Sequence, residues 1–443
     1  MTILSQTHLR LLEQRCEAGA VALPRPPERG PRSDVGRRLL KGTGESRRVD
    51  LSTHHLIHGE VPADVWEGSQ DLLDLAESVD LRGRGGAAFP FARKARGVRE
   101  TRGRALVVAN GSEGEPASLK DATLMQRAPH LVLDGVELAA VNVGAREARL
   151  VVADQAARRS LDEAMAERRG MRRSRVRIRI MAVGDGFVAG ESTAVVRASE
   201  GGPTALPKFT VKRTGEGGVN GRPTLVSNVE TLAHLAILAR LGRDGYRSVG
   251  TEWEAGTALV TAHLHGASPE VIEVPYGKPL RHVLGERFGP RAVLVGGYHG
   301  QWLPPGAAAH TVLSRAGLKE VGGDLGAGVV VALPDDACPL VEAAPVVRML
   351  ADASSGQCGP CVHGLRSIAD RFQAVADSVA TQEDLRLLDR WATLVRGRGA
   401  CSHPDGVVRF VGSLLTAFAS EVAIHQHLTC DKSFQGLLPV QVH

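Results

Sequence analysis

Two cysteines three residues apart, Cys358 and Cys361, stand in "ASSGQCGPCVHG" (353–364), a loop of Gly, Ser and Pro. A third, Cys401, follows in "RGRGACSHPDG". Thiolates at this spacing can share one metal centre, because such a loop can turn both sulfurs inward while glycine relieves the strain. Zinc takes four N or S ligands, and His363 or His403 could complete that set. A cubane iron–sulfur cluster takes four ligands, usually all cysteine. The plain alternative, two cysteines packed in a helical core, is disfavoured by the glycine-rich setting.

Three further stretches combine glycine with charge. In "LRGRGGAAFPFARK" (81–94), Gly83, Gly85 and Gly86 let the backbone approach a phosphate or ring closely, and Arg82, Arg84 and Lys94 supply positive charge. The loop is neither a P-loop nor GxGxxG, and alone it could be a structural turn. In "NGSEGEPASLKD" (110–121), Asn110, Ser112, Glu113 and Glu115 follow the strand-like run "ALVVA". Ligands of open α/β sheets bind at such strand ends, although acids there also favour a helix N-terminus. In "VGDGFVAGESTA" (183–194), Gly184, Gly186 and Gly190 precede Glu191. Three glycine-bearing loops, two of them with acids, converge on a nucleotide-like cofactor.

The elements that must hold these loops follow from periodicity. From about 65 to 245 strand and helix patterns alternate: strands at 104–110, 148–154 and 175–184, helices at 120–144 and 155–170. "TLVSNVETLAHLAILARLG" (224–242) reads as a turn running into a helix. This alternation predicts a mainly parallel α/β sandwich. Residues 255–333 hold short β runs and one helical piece, a small α+β domain, and from 342 onward helical spacing predicts a bundle carrying the cysteine loop. Residues 17–50, rich in Pro, Arg and Gly, read as a poorly ordered leading segment.

The chain has 443 residues, 43% hydrophobic and 23% charged, which is enough for about two to four globular domains. No apolar run is long enough to span a membrane, and "MTILSQTHLRLLEQRCEAGA" lacks the features of a signal peptide, so a cytoplasmic protein is expected. Six cysteines in that setting suit metal binding or redox work better than a disulfide framework. The net charge is +5, and its densest source is "RRGMRRSRVRIRI" (168–180). Arginine there alternates with Val and Ile, as on a strand with one wet face, and lacks the interleaved aromatics of a nucleic-acid site. A basic surface could instead attract an acidic protein such as a ferredoxin.

In their order, "RGRGGAAFP", "NGSEGEPASLKD", "GESTA", "GRPTLVSNVETLA", "GQCGPCVHG" and a distant lone cysteine, these stretches resemble the NADH-binding flavoprotein subunit of respiratory complex I. The module also occurs in NAD-linked formate dehydrogenases and hydrogenases. The resemblance covers roughly 65–430. It implies a Rossmann-like FMN domain at 65–245 after an N-terminal extension (1–64), a ubiquitin-like β-grasp domain at 250–335, and an iron–sulfur helical bundle at 340–435. It places FMN against Gly83, Arg84, Gly85, Gly86, Lys94, Asn110, Glu113, Gly190 and Glu191, and against a turn of Val226, Ser227, Asn228 and Thr231. Glu115 matches an acid that reads the nicotinamide nucleotide, Phe89 an aromatic near its adenine, and Phe209 a second aromatic. The implied reaction is hydride transfer from NAD(P)H to FMN, then single electrons through a 4Fe–4S or 3Fe–4S cluster to a ferredoxin or a 2Fe–2S subunit. No acid–base residue is required. The site would lie in the cytoplasm, or peripherally on the cytoplasmic face of a membrane complex with no inserted segment of its own.

Departures from the family pattern matter. Ser355 takes the first cysteine's place in the cluster motif, which leaves Cys358, Cys361 and Cys401 as ligands and Ser355 as a candidate fourth. Cys338 and Cys430 are spare thiols outside the motif positions. In the nucleotide pocket, Ser112 and Ser192 replace carboxylates and Phe187 a tyrosine. Fewer carboxylates repel a phosphate less, so weakened discrimination against NADPH is expected. Two rival readings are a non-catalytic relative acting in assembly or regulation of a redox complex, and a zinc-stabilised nucleotide-binding module.

Overall fold

Alternate residues of one strand face two different cores, and this organises the first domain. The computed structural model describes residues 36–44, 47–67, 71–169, 176–184, 186–202, 218–285, 293–304, 306–427, 430–432 and 434–440. Strands β1 (Leu106–Gly111), β2 (Glu147–Val152), β3 (Arg177–Ala182) and β4 (Thr224–Asn228) form a parallel sheet in the order β3-β2-β1-β4. Val107 and Ala109 of β1 pack with Leu131, Val132 and Leu232 of the helices Pro129–Asn142 and Val229–Arg247. Leu106 and Val108 pack with Val195 and Val196 of the helix Ser192–Ser199. Both faces are covered, as a parallel sheet requires. On the edge strand β3 the arginines Arg177 and Arg179 are exposed while Ile178 and Ile180 are half-buried, the wet-faced strand expected there.

Three sequence expectations need correction. Residues 224–228 are the strand β4 and not a turn; the run is short and meets its helix without a Gly or Pro between them, so its period is hidden. The helical stretch 120–144 is two helices, Lys120–Arg127 and Pro129–Asn142, because Ala128 before the proline leaves helical geometry at φ −124°. The leading segment is ordered from residue 36 onward. Leu39 and Leu40 are buried, and the Glu273 carboxylate accepts the backbone N–H groups of Arg38 (2.9 Å), Leu39 (3.0 Å) and Leu40 (2.9 Å). A following helix, Leu51–His58, docks through His54 Nε2, 2.9 Å from the fully buried Asp134. Arg168 and Arg240 neutralise the same carboxylate, so losing one partner would cost about 3–5 kcal/mol. Phe209 lies outside the described residues.

A second sheet joins β5 (Thr257–Leu264), β6 (Glu270–Pro275), β7 (Val293–Val295), β8 (Gln301–Leu303) and β9 (Val329–Ala332) in the order β6-β5-β9-β7-β8, with only β5 and β9 parallel. The helices Pro339–Asp352, Arg366–Ala376, Gln382–Val395, His403–Ala417 and Ala419–His427 follow, sharing a core that includes Leu350, Leu365, Phe372 and Phe410. The last two are bent by 78° where one helix was expected. Among the described residues no single helix is long and apolar enough to cross a membrane.

Candidate functional site: a glycine-lined sheet edge beside three thiols

The C-terminal edge of the first sheet gathers most of the sequence-predicted residues. Asn110 closes β1 opposite Asn228 of β4; its Nδ2 donates to Gly190 O (2.9 Å) and its Oδ1 accepts from Ser112 N (3.1 Å). Asn228 Oδ1 caps the following helix by accepting from Glu230 N (3.0 Å). The glycine loop is held over this edge. Gly83 N donates to Phe89 O (2.9 Å), Arg84 N donates to Thr231 Oγ1 (2.9 Å), and Gly86 adopts φ +98°. Loops 110–115 and 186–191 meet backbone to backbone, and a Cβ on Gly114 would lie 2.4 Å from Phe187 O. We expect Gly114→Ala to cost about 1–3 kcal/mol and to lower flavin content; unchanged unfolding midpoint and flavin stoichiometry would contradict this packing.

Charge is concentrated underneath. The Glu113 carboxylate accepts from the Ser118 hydroxyl, Asp121 N (3.2 Å) and Ala122 N (3.2 Å). Lys120 Nζ, buried, lies 2.6 Å from Asp121 Oδ1 and 3.0 Å from Glu230 Oε2, and Asn228 Nδ2 donates to Asp121 Oδ2 (2.6 Å). Burial and the neighbouring Asp121 push Glu113 up to about 7. Lys120 and Glu230 escaped the sequence reading. The available signal was a lysine in the first turn of a helix, where the dipole disfavours a cation.

Other predicted residues are placed differently. Val226 and Ser227 are buried within β4. The Arg84 side chain turns toward the second sheet, its Cζ 4.8 Å over the Tyr276 ring and its Nε buried without a partner. Glu115 is buried; Oε2 accepts from Tyr298 N (2.7 Å), Oε1 from Ala117 N (3.3 Å), and burial pushes its carboxyl up to about 7. Phe89 is 40% exposed, with Arg93 over its ring. A cavity of about 400 Å³, open solvent included, is lined by Arg82, Gly83, Gly86, Lys120, Tyr276 and Gly326, among others. None of Lys94, Asn110, Glu113 or Glu191 lines it, so it is a different space from the edge described above.

The thiols lie beyond that edge. Cys361 sits in a π-helical turn, Pro360–Leu365, a distortion frequent at functional sites. Burial, then Cys358 and Cys401, push its thiol up to about 12, which brings the three cysteines into one electrostatic group. The hydroxyl that acts on Cys361 is that of Ser354; Ser355 is half-buried on the same loop. Cys338 and Cys430 belong to a separate group, described below. Phe187 joins the two regions, its ring centroid 4.7 Å from His299 and 5.5 Å from His403, two residues after Cys401. Glu191 joins them electrostatically. Its carboxylate accepts from Thr193 N (2.7 Å), opposes the burial that lowers Lys94, and adds to the burial that raises Cys401.

The residues suit both groups that such an edge would serve. Lys94 makes no ion pair among the described residues, and its ammonium is disfavoured by burial until an anion such as a phosphate arrives. Three mutually interacting thiols on a strained turn are an iron–sulfur or zinc donor set. Together they define a flavin-dependent iron–sulfur oxidoreductase. A family model described as "Nuo51 FMN-binding domain" matches residues 76–237, and one described as "NADH-ubiquinone oxidoreductase-F iron-sulfur binding region" matches 342–425. The chain belongs to this family, the F-type flavoproteins of NADH-quinone oxidoreductase. It is 27% identical over 376 residues to the F 2 flavoprotein of the NADH-quinone oxidoreductase of Rhizobium meliloti, covering 80% of this chain and 88% of that one. It is 28% identical over 396 residues to NAD-reducing hydrogenase HoxS subunit alpha of Cupriavidus necator, covering 80% of this chain but 64% of that protein. A crystal structure of NAD+-reducing NiFe-hydrogenase in the H2-reduced state superposes with TM-score 0.74 at 28% identity, over 83% of this chain and 64% of that one.

Proposed function

We propose that this chain is an electron-input flavoprotein. It oxidises NAD(P)H at an FMN seated on the glycine loop and delivers electrons through an iron–sulfur centre at Cys358, Cys361 and Cys401 to a protein acceptor. The observation that carries this reading is Glu191, one carboxylate felt both by Lys94 on the flavin side and by Cys401 on the cluster side. Bound FMN would supply the exchange of a hydride for single electrons. The protein's own part is placement. Lys94 meets the flavin phosphate. Asn110, Asn228 and Thr231 hold the strand ends and the glycine loop in register. Glu113 and Glu191 fix the loops by accepting backbone N–H groups. Glu115 is committed to Tyr298 N–H and reads the nucleotide through the loop it pins.

The strand order of the second sheet, two antiparallel hairpin strands with the last strand parallel to the first, supports a ubiquitin-like β-grasp domain at 250–335. The divisions 1–64, 65–245 and 340–435 are likewise our reading, with the cluster in the last. The acceptor is a ferredoxin or a 2Fe–2S subunit of a larger cytoplasmic or peripheral complex. Anaerobic purification with flavin and iron analysis, and EPR before and after NADH, tests the whole reading; colourless protein inert to NADH refutes it.

Ser112 and Ser192 in place of carboxylates set the coenzyme preference. We expect kcat/KM for NADH and NADPH to agree within about tenfold, a difference below about 1.4 kcal/mol, and Ser112→Asp to shift the ratio toward NADH. A strong NADH preference in the unaltered chain would remove this reading.

A further inference from the structure

A second group of metal-ligating side chains lies in the C-terminal bundle and takes no part in the chemistry above. Cys338 precedes the helix Pro339–Asp352, His425 sits in the helix Ala419–His427, and Cys430 lies just beyond it. Cys338 is 0% and His425 2% exposed. One ligand atom from each of the three lies within 4.8 Å of the others. Cys338 Sγ is 3.2 Å from His425 Nε2.

The imidazole is already set for coordination. Its Nδ1 lies 3.0 Å from Val375 O, which can only accept, so the ring proton sits on Nδ1 and Nε2 presents a bare lone pair to the sulfur. Ser378 Oγ lies 3.0 Å from the same Nδ1, although this places a non-glycine residue at φ +58°. Buried partners of this kind fix the tautomer and orientation of metal-binding histidines. We propose that Cys338, His425 and Cys430 form a zinc site, separate from the iron–sulfur centre, that fastens the C-terminal tail to the bundle.

The donor set selects the ion. Two thiolates and an imidazole suit zinc and do not suit magnesium or calcium, which take oxygen ligands. With Zn–S near 2.3 Å and Zn–N near 2.0 Å, the edges of a tetrahedron are about 3.5–3.8 Å, compatible with the spacing found. Water completes the fourth position, and binding releases the two thiol protons without any redox change. The separation from the cluster rests on the neighbours each group feels: Cys338 responds to Cys430, and Cys361 to Cys358 and Cys401.

The consequence is mechanical. Beyond Cys430 the Glu342 carboxylate accepts the backbone N–H groups of Gln435, Gly436 (3.1 Å) and Leu437 (2.7 Å), and Tyr298 Oη donates to Pro439 O (2.7 Å). A zinc ion at Cys430 would pin the start of this strap. The proposal stands independently of the flavin and cluster assignments.

The test uses the full chain, reconstituted with its iron–sulfur centre, dialysed against zinc chloride and then freed of loosely held metal. We expect about one equivalent of tightly bound zinc, lost in Cys430→Ser and His425→Gln while iron content is unchanged. Zinc X-ray absorption of the unaltered protein keeps the question open to refutation if the variants misfold: a shell of two sulfurs and one nitrogen is expected. Zinc retained equally by the variants overturns the proposal. So does a shell of three sulfurs, which would put the ion at Cys358, Cys361 and Cys401. A Cys338–Cys430 disulfide in protein kept reduced and zinc-loaded also overturns it.

Discussion

Cys361→Ser separates the two halves of the redox path. With one of three thiolates gone, the iron centre should be lost or altered, and NADH-dependent reduction of a one-electron acceptor should fall by roughly 100-fold. The flavin should still bind and still bleach on addition of NADH, because Lys94, Asn110 and the glycine loop are untouched. Iron content, the EPR spectrum of the NADH-treated protein and stopped-flow absorbance of the flavin read these two effects apart. Turnover and iron content equal to those of the unaltered chain would show that Cys361 is no ligand. The substitution is mild for the fold, since serine is the smaller side chain and Cys361, buried, faces its sister thiols.

Lys94→Met should produce the reverse pattern. Methionine replaces the aliphatic stem, so packing is largely kept. The lost charge–phosphate contact is worth about 2–3 kcal/mol, or roughly 30- to 150-fold in FMN affinity. The variant should purify pale in flavin with its iron centre intact, and excess FMN should restore NADH oxidation. The sign of the effect follows from the site: burial already penalises the free ammonium, and Glu191 only partly offsets that penalty. Flavin binding as tight as in the unaltered chain would exclude Lys94 from the phosphate site.

The sequence was informative where chemistry and periodicity coincide. The glycines at 83–86, Asn110 and Gly190 meet at one sheet edge because each follows a strand or opens a helix, and strand ends of a parallel sheet share one side. The cysteine pair was legible for a similar reason, its spacing being local. What depended on distant partners was hidden. Glu230 gives no sign in sequence that its carboxylate meets Lys120 and Leu259 N–H. Cys338 and Cys430, nearly a hundred positions apart, read as spare ligands for the cluster until His425 was found beside Cys338. The arginine of the glycine loop misled in the opposite sense. Its charge suggests a phosphate, whereas the guanidinium covers Tyr276 and only its backbone N–H serves the loop.

Both ends of the chain are captured in the same manner. Glu273 and Glu342, each almost wholly sequestered from water, gather three successive main-chain N–H groups from segments more than ninety positions away. An acid in such a nest is tolerable only while the nest is complete. Trimming the chain before residue 41 or after residue 434 would strand a carboxylate inside the second sheet or the bundle, far from the cut. The three lobes are therefore laced together at their extremities, and excising any one of them as a free-standing fragment would unravel a neighbour.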